Sequence, residues 1–212
     1  MTAIGWRRGL NSIALASMIA ALGLPGLSLA GEHGGVEAKI EYCQICHGAS
    51  GQGYYGYYAI PRLAGQQPAY LEYQLRDYAA GRRVNSVMAG VARGVPPAMY
   101  GAIAAHFKAL NPAPLGGGGG NVALGRTIFT NGLPESNVPA CSACHGPEGH
   151  GTGTIPRLAG QLPSYLVKTM SNWGRDRGRS SAGGLAAIMV PTTHNMSSAQ
   201  IAAVAAYVGG LR

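Results

Sequence analysis

The chain has 212 residues and a formal net charge of +8 at pH 7, from 16 Lys and Arg against 8 Asp and Glu. A basic balance often indicates nucleic-acid binding, but the amino-terminal segment predicts export, which excludes nucleic acid as a partner. The surplus charge is better explained by acidic partners, which it attracts and steers. No segment after residue 30 is long and apolar enough to span a bilayer, so we expect a soluble mature protein.

Residues 1–30 have the three regions of a secretory signal peptide. A short segment with two arginines precedes residues 10–24, which are uncharged and mostly apolar, and Ser28 and Ala30 are small residues at the positions that a signal peptidase reads. A retained membrane anchor is the alternative, but the apolar stretch falls short of the roughly 20 residues that span a bilayer. We therefore expect cleavage after Ala30 and a periplasmic protein, with peripheral association to a membrane partner left open.

All four cysteines lie in two copies of one motif, Cys-x-x-Cys-His: Cys43, Cys46 and His47 in the first copy, and Cys141, Cys144 and His145 in the second. Cysteines three positions apart share one face of a helical turn, so both can bond the vinyl groups at one haem edge, and the histidine can bind the iron. A structural zinc site would need the two pairs roughly 15–20 residues apart, and a thioredoxin-like site would need a strand–helix–strand setting. The motifs therefore predict two covalently bound haem c groups.

A seven-residue segment, Ile-Pro-Arg-Leu-Ala-Gly-Gln, occurs twice, at residues 60–66 and 155–161. A repeat with a period of about 100 residues is too long for a solenoid and indicates two copies of a domain. Between the copies, prolines and five consecutive glycines mark residues 111–120 as a linker. The predicted domains are therefore residues 31–110 and 121–212.

The predicted elements are helices, so the predicted fold class is all-α. Each copy has a helix that leads into its cysteine motif, a second helix that starts after a proline, and a last helix with apolar periodicity. The predicted ranges are 36–42, 69–78 and 97–110 in the first copy, and 122–130, 164–173 and 197–208 in the second. The segments between them are expected to be glycine-rich loops.

The sixth ligand of each iron has to come from a residue downstream of its motif, and methionine is the usual choice in small electron-transfer cytochromes. We predict Met88 and Met189, which both lie in the loop before the last helix of their copy. Met99 falls inside a predicted helix, where core packing is the default role. In the second copy, His194 and Met196 are the alternatives left open.

The repeated segment supplies further candidate haem-binding residues. Pro61 and Pro156 follow the two motif histidines, and a proline carbonyl in a rigid turn can accept the other ring N–H of a ligating histidine. Arg62 and Arg157 come next, and a guanidinium group can bind a haem propionate bidentately.

Two further groups of residues are given less specific roles. Five arginines are expected to lie in solvated loops: Arg82, Arg83, Arg175, Arg177 and Arg179. Four tyrosines after the first motif either pack on the haem, form a docking face, or close the small core of their own domain: Tyr54, Tyr55, Tyr57 and Tyr58.

With these motifs, the chain resembles the diheme cytochrome c4 family over nearly all of its mature length. The likeness rests on Cys-x-x-Cys-His-Gly at residues 43–48 and 141–146, on the repeated Pro-Arg-Leu-Ala-Gly-Gln, and on a methionine before each last helix. It implies two tandem class I cytochrome c domains that face each other across a pseudo-twofold axis. It also implies haem propionates near the interface and His/Met ligation of both irons, although Pro191 and His194 depart from the family's sequence after the second methionine.

The resemblance also implies the function. Members of the family pass electrons from quinol-oxidising complexes or soluble donors to terminal oxidases, so we expect redox partner proteins of these kinds. With six ligands on each iron, no position is open for a substrate, and we predict a monomeric electron carrier, not an enzyme. The alternatives are the diheme subunit of a dehydrogenase, such as a flavocytochrome that oxidises sulfide, and a haem enzyme acting on a small sulfur compound.

Overall fold

The computed structural model describes residues 1–2, 29–117, 119–177 and 185–212. The predicted signal peptide lies mostly outside these residues, as does Arg179. No helix among the described residues is both long and apolar enough to cross a membrane. These residues form helices and three isolated β-bridges, with no strand, which confirms the all-α prediction for this part of the chain.

The first group of helices consists of α1 (Leu29–His47), α2 (Pro68–Ala79), α3 (Ser86–Arg93) and α4 (Tyr100–Ala109), with a 3₁₀ turn at Pro97–Met99 before α4. α1 is longer than the predicted helix at residues 36–42 and contains the whole first cysteine motif. α3 lies where a loop was predicted. It forms because the Asn85 side chain accepts a hydrogen bond from Met88 N and so caps the first turn.

The second group consists of α5 (Val122–Asn131), α6 (Ser142–His145), α7 (Pro163–Ser171), α8 (Trp173–Arg177), α9 (Met189–His194) and α10 (Ser198–Gly209), with 3₁₀ turns at Pro134–Ser136 and Leu185–Ile188. The single helix predicted at residues 164–173 is therefore interrupted after Ser171. α10 begins with a capping box, in which Ser197 Oγ accepts from Gln200 N and the Gln200 side chain accepts from Ser197 N.

Each group of helices has its own apolar core, and we call α1–α4 the N-domain and α5–α10 the C-domain. In the N-domain, α4 packs against α1 and α2, and the core includes Ile40, Leu71, Tyr100, Ile103 and Phe107. In the C-domain, α10 packs against α5 and α7, and the core includes Ile128, Phe129, Leu166, Val204 and Val208. Burial of each such large side chain contributes about 1.5–3 kcal/mol, so the last helix of each domain is its main packing element.

Reciprocal hydrogen bonds between the two repeated segments join the domains. Gln161 brackets the backbone of Arg62: its Oε1 accepts from Arg62 N at 2.8 Å, and its Nε2 donates to Arg62 O at 3.0 Å. Gln66 brackets the backbone of Arg157 in the same way, at 2.7 and 3.0 Å. Exchanging the two domains turns one contact into the other, so the interface has the pseudo-twofold relation that the family resemblance implies.

The crossing of α5 and α10 depends on Gly125, because a Cβ there would collide with the backbone carbonyl group of Ala203. We expect Gly125→Ala to lower the free energy of unfolding by about 1–3 kcal/mol, since overpacking forces the helices apart. Urea denaturation measures this loss. Gly174→Ala on α8 is the control, because a Cβ at Gly174 meets no atom within 4 Å. Equal free energies of unfolding for the two variants would contradict this role of Gly125.

Candidate haem attachment sites

Both cysteine motifs lie in helical turns that end at the histidine, α1 at His47 and α6 at His145. In each motif the first cysteine is partly buried and the second is exposed, and all four thiols are free. Burial raises the pKa of Cys43, and it raises the pKa of Cys141 to about 11. These two thiols are therefore protonated at neutral pH, unlike the low-pKa cysteines that carry out disulfide exchange.

Each motif presents two thiols and an imidazole along a short stretch of helix. Among the described residues, no group of three or more His, Cys, Asp or Glu side chains is placed to hold a metal ion. The donor set fits one covalently attached haem, because the thiols are available to the vinyl groups and the imidazole to the iron.

The prolines of the repeated segment hold the motif histidines. His47 Nδ1–H donates to Pro61 O at 2.8 Å, and His145 Nδ1–H donates to Pro156 O at 2.9 Å. The two histidines are only 7% and 8% exposed, and burial lowers the pKa of each imidazole more than the carbonyl contact raises it. Each ring is therefore neutral, with its proton on Nδ1 and a lone pair on Nε2, which is the state in which Nε2 can bind iron.

In each domain, one glycine lies between the motif histidine and the proline segment and contacts both. Gly53 N donates to His47 O at 2.9 Å, and Gly151 N donates to His145 O at 2.8 Å. Both glycines have positive φ, +88° and +66°, and a Cβ on either would collide with the backbone next to the proline. They were not predicted as site residues, although the same Gly-x-x-Gly-x-Gly sequence directly follows both histidines.

Met88 and Met99 have different surroundings in the N-domain. Met88 is the third residue of α3 and is partly exposed, so the prediction that it lies in a loop is wrong. Met99 ends the 3₁₀ turn before α4 and packs against the N-domain core. Its side chain therefore has the packing role that the sequence suggested, whereas Met88 belongs to neither core.

The C-domain shows the same division. Met189 is partly exposed and begins α9, so it too is helical where a loop was predicted. Met196 is buried in the C-domain core, as is Val95, its counterpart by sequence spacing, in the N-domain core. His194 ends α9 and is exposed. The two alternatives for the sixth ligand are thus a core residue and a surface residue.

Arg62 and Arg157 lie at the domain interface. Arg62 Nε donates to Ala64 O and Arg157 Nε donates to Ala159 O, both at 3.0 Å. Burial lowers the pKa of both guanidinium groups, and the positive charge of Arg157 lowers that of Arg62 further. Their acceptors among the described residues are carbonyl oxygens, so neither cation is neutralised there.

Arg83 and Arg177 are also interface residues, and the prediction that they lie in solvated loops is wrong. They are only 9% and 6% exposed. Arg83 Nη2 donates to the Tyr165 hydroxyl at 2.8 Å, and Arg177 Nη1 donates to the Tyr70 hydroxyl at 2.9 Å, so each reaches across to the other domain. Arg177 Nη2 also donates to the Tyr165 hydroxyl, at 3.1 Å.

The same two guanidinium groups stack on aromatic rings of their own domains. Arg83 lies 4.4 Å from the ring centroid of Tyr78, and Arg177 lies 4.6 Å from that of Trp173. Burial disfavours the ionised form of Tyr165, but the charges of Arg83 and Arg177 outweigh it and lower the pKa of Tyr165 to about 8. Two buried cations that share one phenol oxygen create a strongly positive environment that favours an anion.

The tyrosine-rich loop lies on the surface. Its four rings are exposed, Tyr57 at 94%, which contradicts the alternative that they close the core of their own domain. The Lys168 ammonium of α7 lies 5.1 Å from the ring centroid of Tyr58, and the rings of Tyr57 and Tyr58 meet edge to face. The loop therefore contacts the C-domain.

Known proteins are similar to this chain over most of its length. The family model described as Cytochrome c matches residues 122–212. Cytochrome c4 of Pseudomonas aeruginosa is 34% identical over 93% of this chain and 98% of its own. The thiosulfate dehydrogenase electron acceptor of Thiomonas intermedia is 38% identical over 78% of this chain and 76% of its own. The solved structure of Acidithiobacillus ferrooxidans cytochrome c4 is 32% identical and has a TM-score of 0.70, covering 81% of this chain and 99% of that chain.

Tyr165→Phe would remove the hydroxyl that Arg83 and Arg177 share and leave two buried guanidinium groups short of an acceptor. We expect a loss of about 1–3 kcal/mol in the free energy of unfolding, measured in urea. Tyr57→Phe is the matched control, because its ring is exposed and the change should stay within about 0.5 kcal/mol. A Tyr165→Phe protein as stable as the control would show that the shared hydroxyl does not stabilise the interface.

Proposed function

Because this chain belongs to the diheme cytochrome c4 family, we propose that it is a periplasmic carrier that holds one haem c in each domain and relays electrons between protein partners. Family membership makes it an electron-transfer cytochrome with covalently bound haem c. The count of two haems rests on the duplicated site. Two free thiols and a neutral histidine bound to a proline carbonyl occur in both domains with nearly the same distances.

The parts of the chain have separate roles in this proposal. Residues 1–30 form the signal peptide, which directs export. Residues 31–110 form the N-terminal cytochrome domain, residues 111–120 the linker, and residues 121–212 the C-terminal cytochrome domain. The separate cores on the two sides of the linker support these boundaries.

The side chains of each domain would hold the iron from both faces. His47 and His145 bind through Nε2, and the proline carbonyls fix the orientation of their rings. Met88 and Met189 would each supply a soft thioether to one iron, which favours the ferrous state and raises the potential. Haem supplies the one-electron chemistry when bound. Two side chains on each iron would leave no ligand position for a substrate, so the protein would carry electrons without binding a substrate at the metal.

The buried interface cations support a place for the haem propionates between the domains. Arg83 and Arg177 have phenol hydroxyls as acceptors from the opposite domain, and a propionate would give them charge-assisted hydrogen bonds. We therefore propose these two arginines as propionate partners. The same role for Arg62 and Arg157 stays a prediction. Their Nε atoms already donate to carbonyl oxygens of their own segments.

Two classes of electron donor are consistent with this site. The family resemblance supports a quinol-oxidising complex or a soluble donor, with a terminal oxidase as acceptor. The Thiomonas relative is named as the electron acceptor of thiosulfate dehydrogenase, which favours a sulfur-compound dehydrogenase as the second candidate. In both cases we expect a monomer that binds its partners transiently.

The sulfur ligands can be tested by substitution in the holoprotein. Met88→Ala and Met189→Ala should each lower the midpoint potential of one haem by on the order of 0.1 V and remove the sulfur-to-iron absorbance of that haem. A redox titration followed by visible spectra measures both. Met196→Leu is the control and should keep both potentials and both sulfur signals. Loss of a sulfur signal in Met196→Leu, but not in Met189→Ala, would make Met196 the ligand.

The donor can be tested by mixing oxidised holoprotein with thiosulfate dehydrogenase and thiosulfate, or with a quinol-oxidising complex and quinol. Fast reduction by one system identifies its class of donor, and the rate should fall as ionic strength rises if charge steers the encounter. Haem absorbance in a stopped-flow instrument gives the rate, with each mixture lacking its substrate as control. Reduction by neither system, with ready binding of carbon monoxide to the ferrous protein, would favour a haem enzyme.

A further inference from the structure

One peptide group in each domain is hydrogen-bonded at both of its ends. The carbonyl oxygen of Pro61 accepts from His47 Nδ1–H at 2.8 Å. The N–H of the same peptide group belongs to Arg62 and donates to Gln161 Oε1 at 2.8 Å. The side-chain amide of a C-domain residue is thus connected to the N-domain histidine through a single planar amide unit.

The C-domain contains the same chain of contacts in the reverse direction. His145 Nδ1–H donates to Pro156 O at 2.9 Å, and Arg157 N donates to Gln66 Oε1 at 2.7 Å. Gln66 lies in the N-domain, so the two chains of hydrogen bonds cross the interface in opposite directions. Both glutamines are nearly fully buried, which keeps water from competing for these bonds.

Hydrogen bonds connected in series polarise one another. When an amide N–H donates, electron density shifts toward the carbonyl oxygen of the same amide, and that oxygen becomes a better acceptor. A better acceptor at Nδ1–H gives the imidazole more electron density at Nε2, which makes it a stronger ligand for ferric iron. Removal of the glutamine oxygen would therefore make the histidine a weaker electron-pair donor to the iron and favour the ferrous state.

We propose that Gln161 and Gln66 are positioning residues that tune the haem of the opposite domain, Gln161 through Pro61–Arg62 and Gln66 through Pro156–Arg157. The inference rests on the proposed function, since it requires the two histidines to bind iron. It assigns to the repeated glutamine a role beyond the joining of the two domains. The reduction potential of each haem then depends on the hydrogen bond that the other domain's glutamine makes across the interface.

The test is Gln161→Leu and Gln66→Leu in the full-length holoprotein. At a fixed applied potential, each variant should raise the ratio of ferrous to ferric iron about two- to fivefold at one haem, the one in the opposite domain. Nuclear magnetic resonance assigns the haem, because the methionine-methyl resonance that Met88→Ala removes belongs to the N-domain. A second readout, independent of potential, is the His47 Nδ1–H resonance, which should move upfield in Gln161→Leu.

Two further variants separate tuning from support of the interface. Gln161→Glu keeps an acceptor for Arg62 N and should not raise the ferrous fraction of the N-domain haem. Gln67→Leu is the matched control, because Gln67 Nε2 also donates across the interface, to His150 O and Gly151 O, but contacts neither Pro-Arg peptide group. Gln67→Leu should lower the free energy of unfolding and leave the potential of the N-domain haem unchanged.

The outcomes distinguish this inference from the proposed function. Normal haem content and His/Met spectra with unshifted potentials in both glutamine variants would overturn the inference alone. A shift in the potential of the haem in the variant's own domain would overturn it as well. So would a shift of the N-domain haem potential in Gln67→Leu equal to that in Gln161→Leu. A wild-type holoprotein without two His/Met haems would overturn the proposed function itself.

Discussion

The hydrogen bond from each motif histidine to a proline carbonyl is the contact on which the arrangement of each domain depends. For Pro61 O to lie beside His47, the chain between them must turn back on itself within a few residues. Gly51 O fixes the returning segment by accepting from Leu63 N and Ala64 N, at 2.8 and 2.9 Å. The second domain repeats this geometry with its own residues. In each domain, these backbone hydrogen bonds join the motif helix, the glycine-rich loop and the proline segment at the interface. The two domains share this backbone arrangement and differ in their side chains.

The distribution of basic residues follows from the same interface. The net positive charge of the chain suggests an attractive surface for acidic partners, yet four of its arginines are drawn into the contact between the domains: Arg62, Arg83, Arg157 and Arg177. Their acceptors there are phenol and carbonyl oxygens. Burial of cations is costly unless anions accompany them. Part of the basic composition is therefore explained by the interface between the domains, where the proposed haem propionates would accompany these cations.

Local signals in the sequence were sufficient for much of the fold. Helices that start after proline, such as α2, and the capping box at Ser197 depend on neighbouring residues, and the duplicated segment revealed two domains. α3 was missed because its signal is a single cap, Asn85, before a short stretch of residues that also contains glycine. The burial of Arg83 could not be predicted locally, since its partner Tyr165 belongs to the other domain. Haem ligation by the predicted residues stays a prediction that these contacts support.

The paired glutamine contacts have the form of an isologous contact, in which one surface patch binds a second copy of itself. A lone domain with this patch carries every donor and acceptor needed to form a symmetric homodimer. The linker converts that bimolecular association into an intramolecular one, at an effective concentration of order millimolar. Once the two copies share a chain, symmetry no longer requires them to be identical. One copy can then acquire features, such as the tyrosine-rich loop, that a true homodimer would have to carry twice.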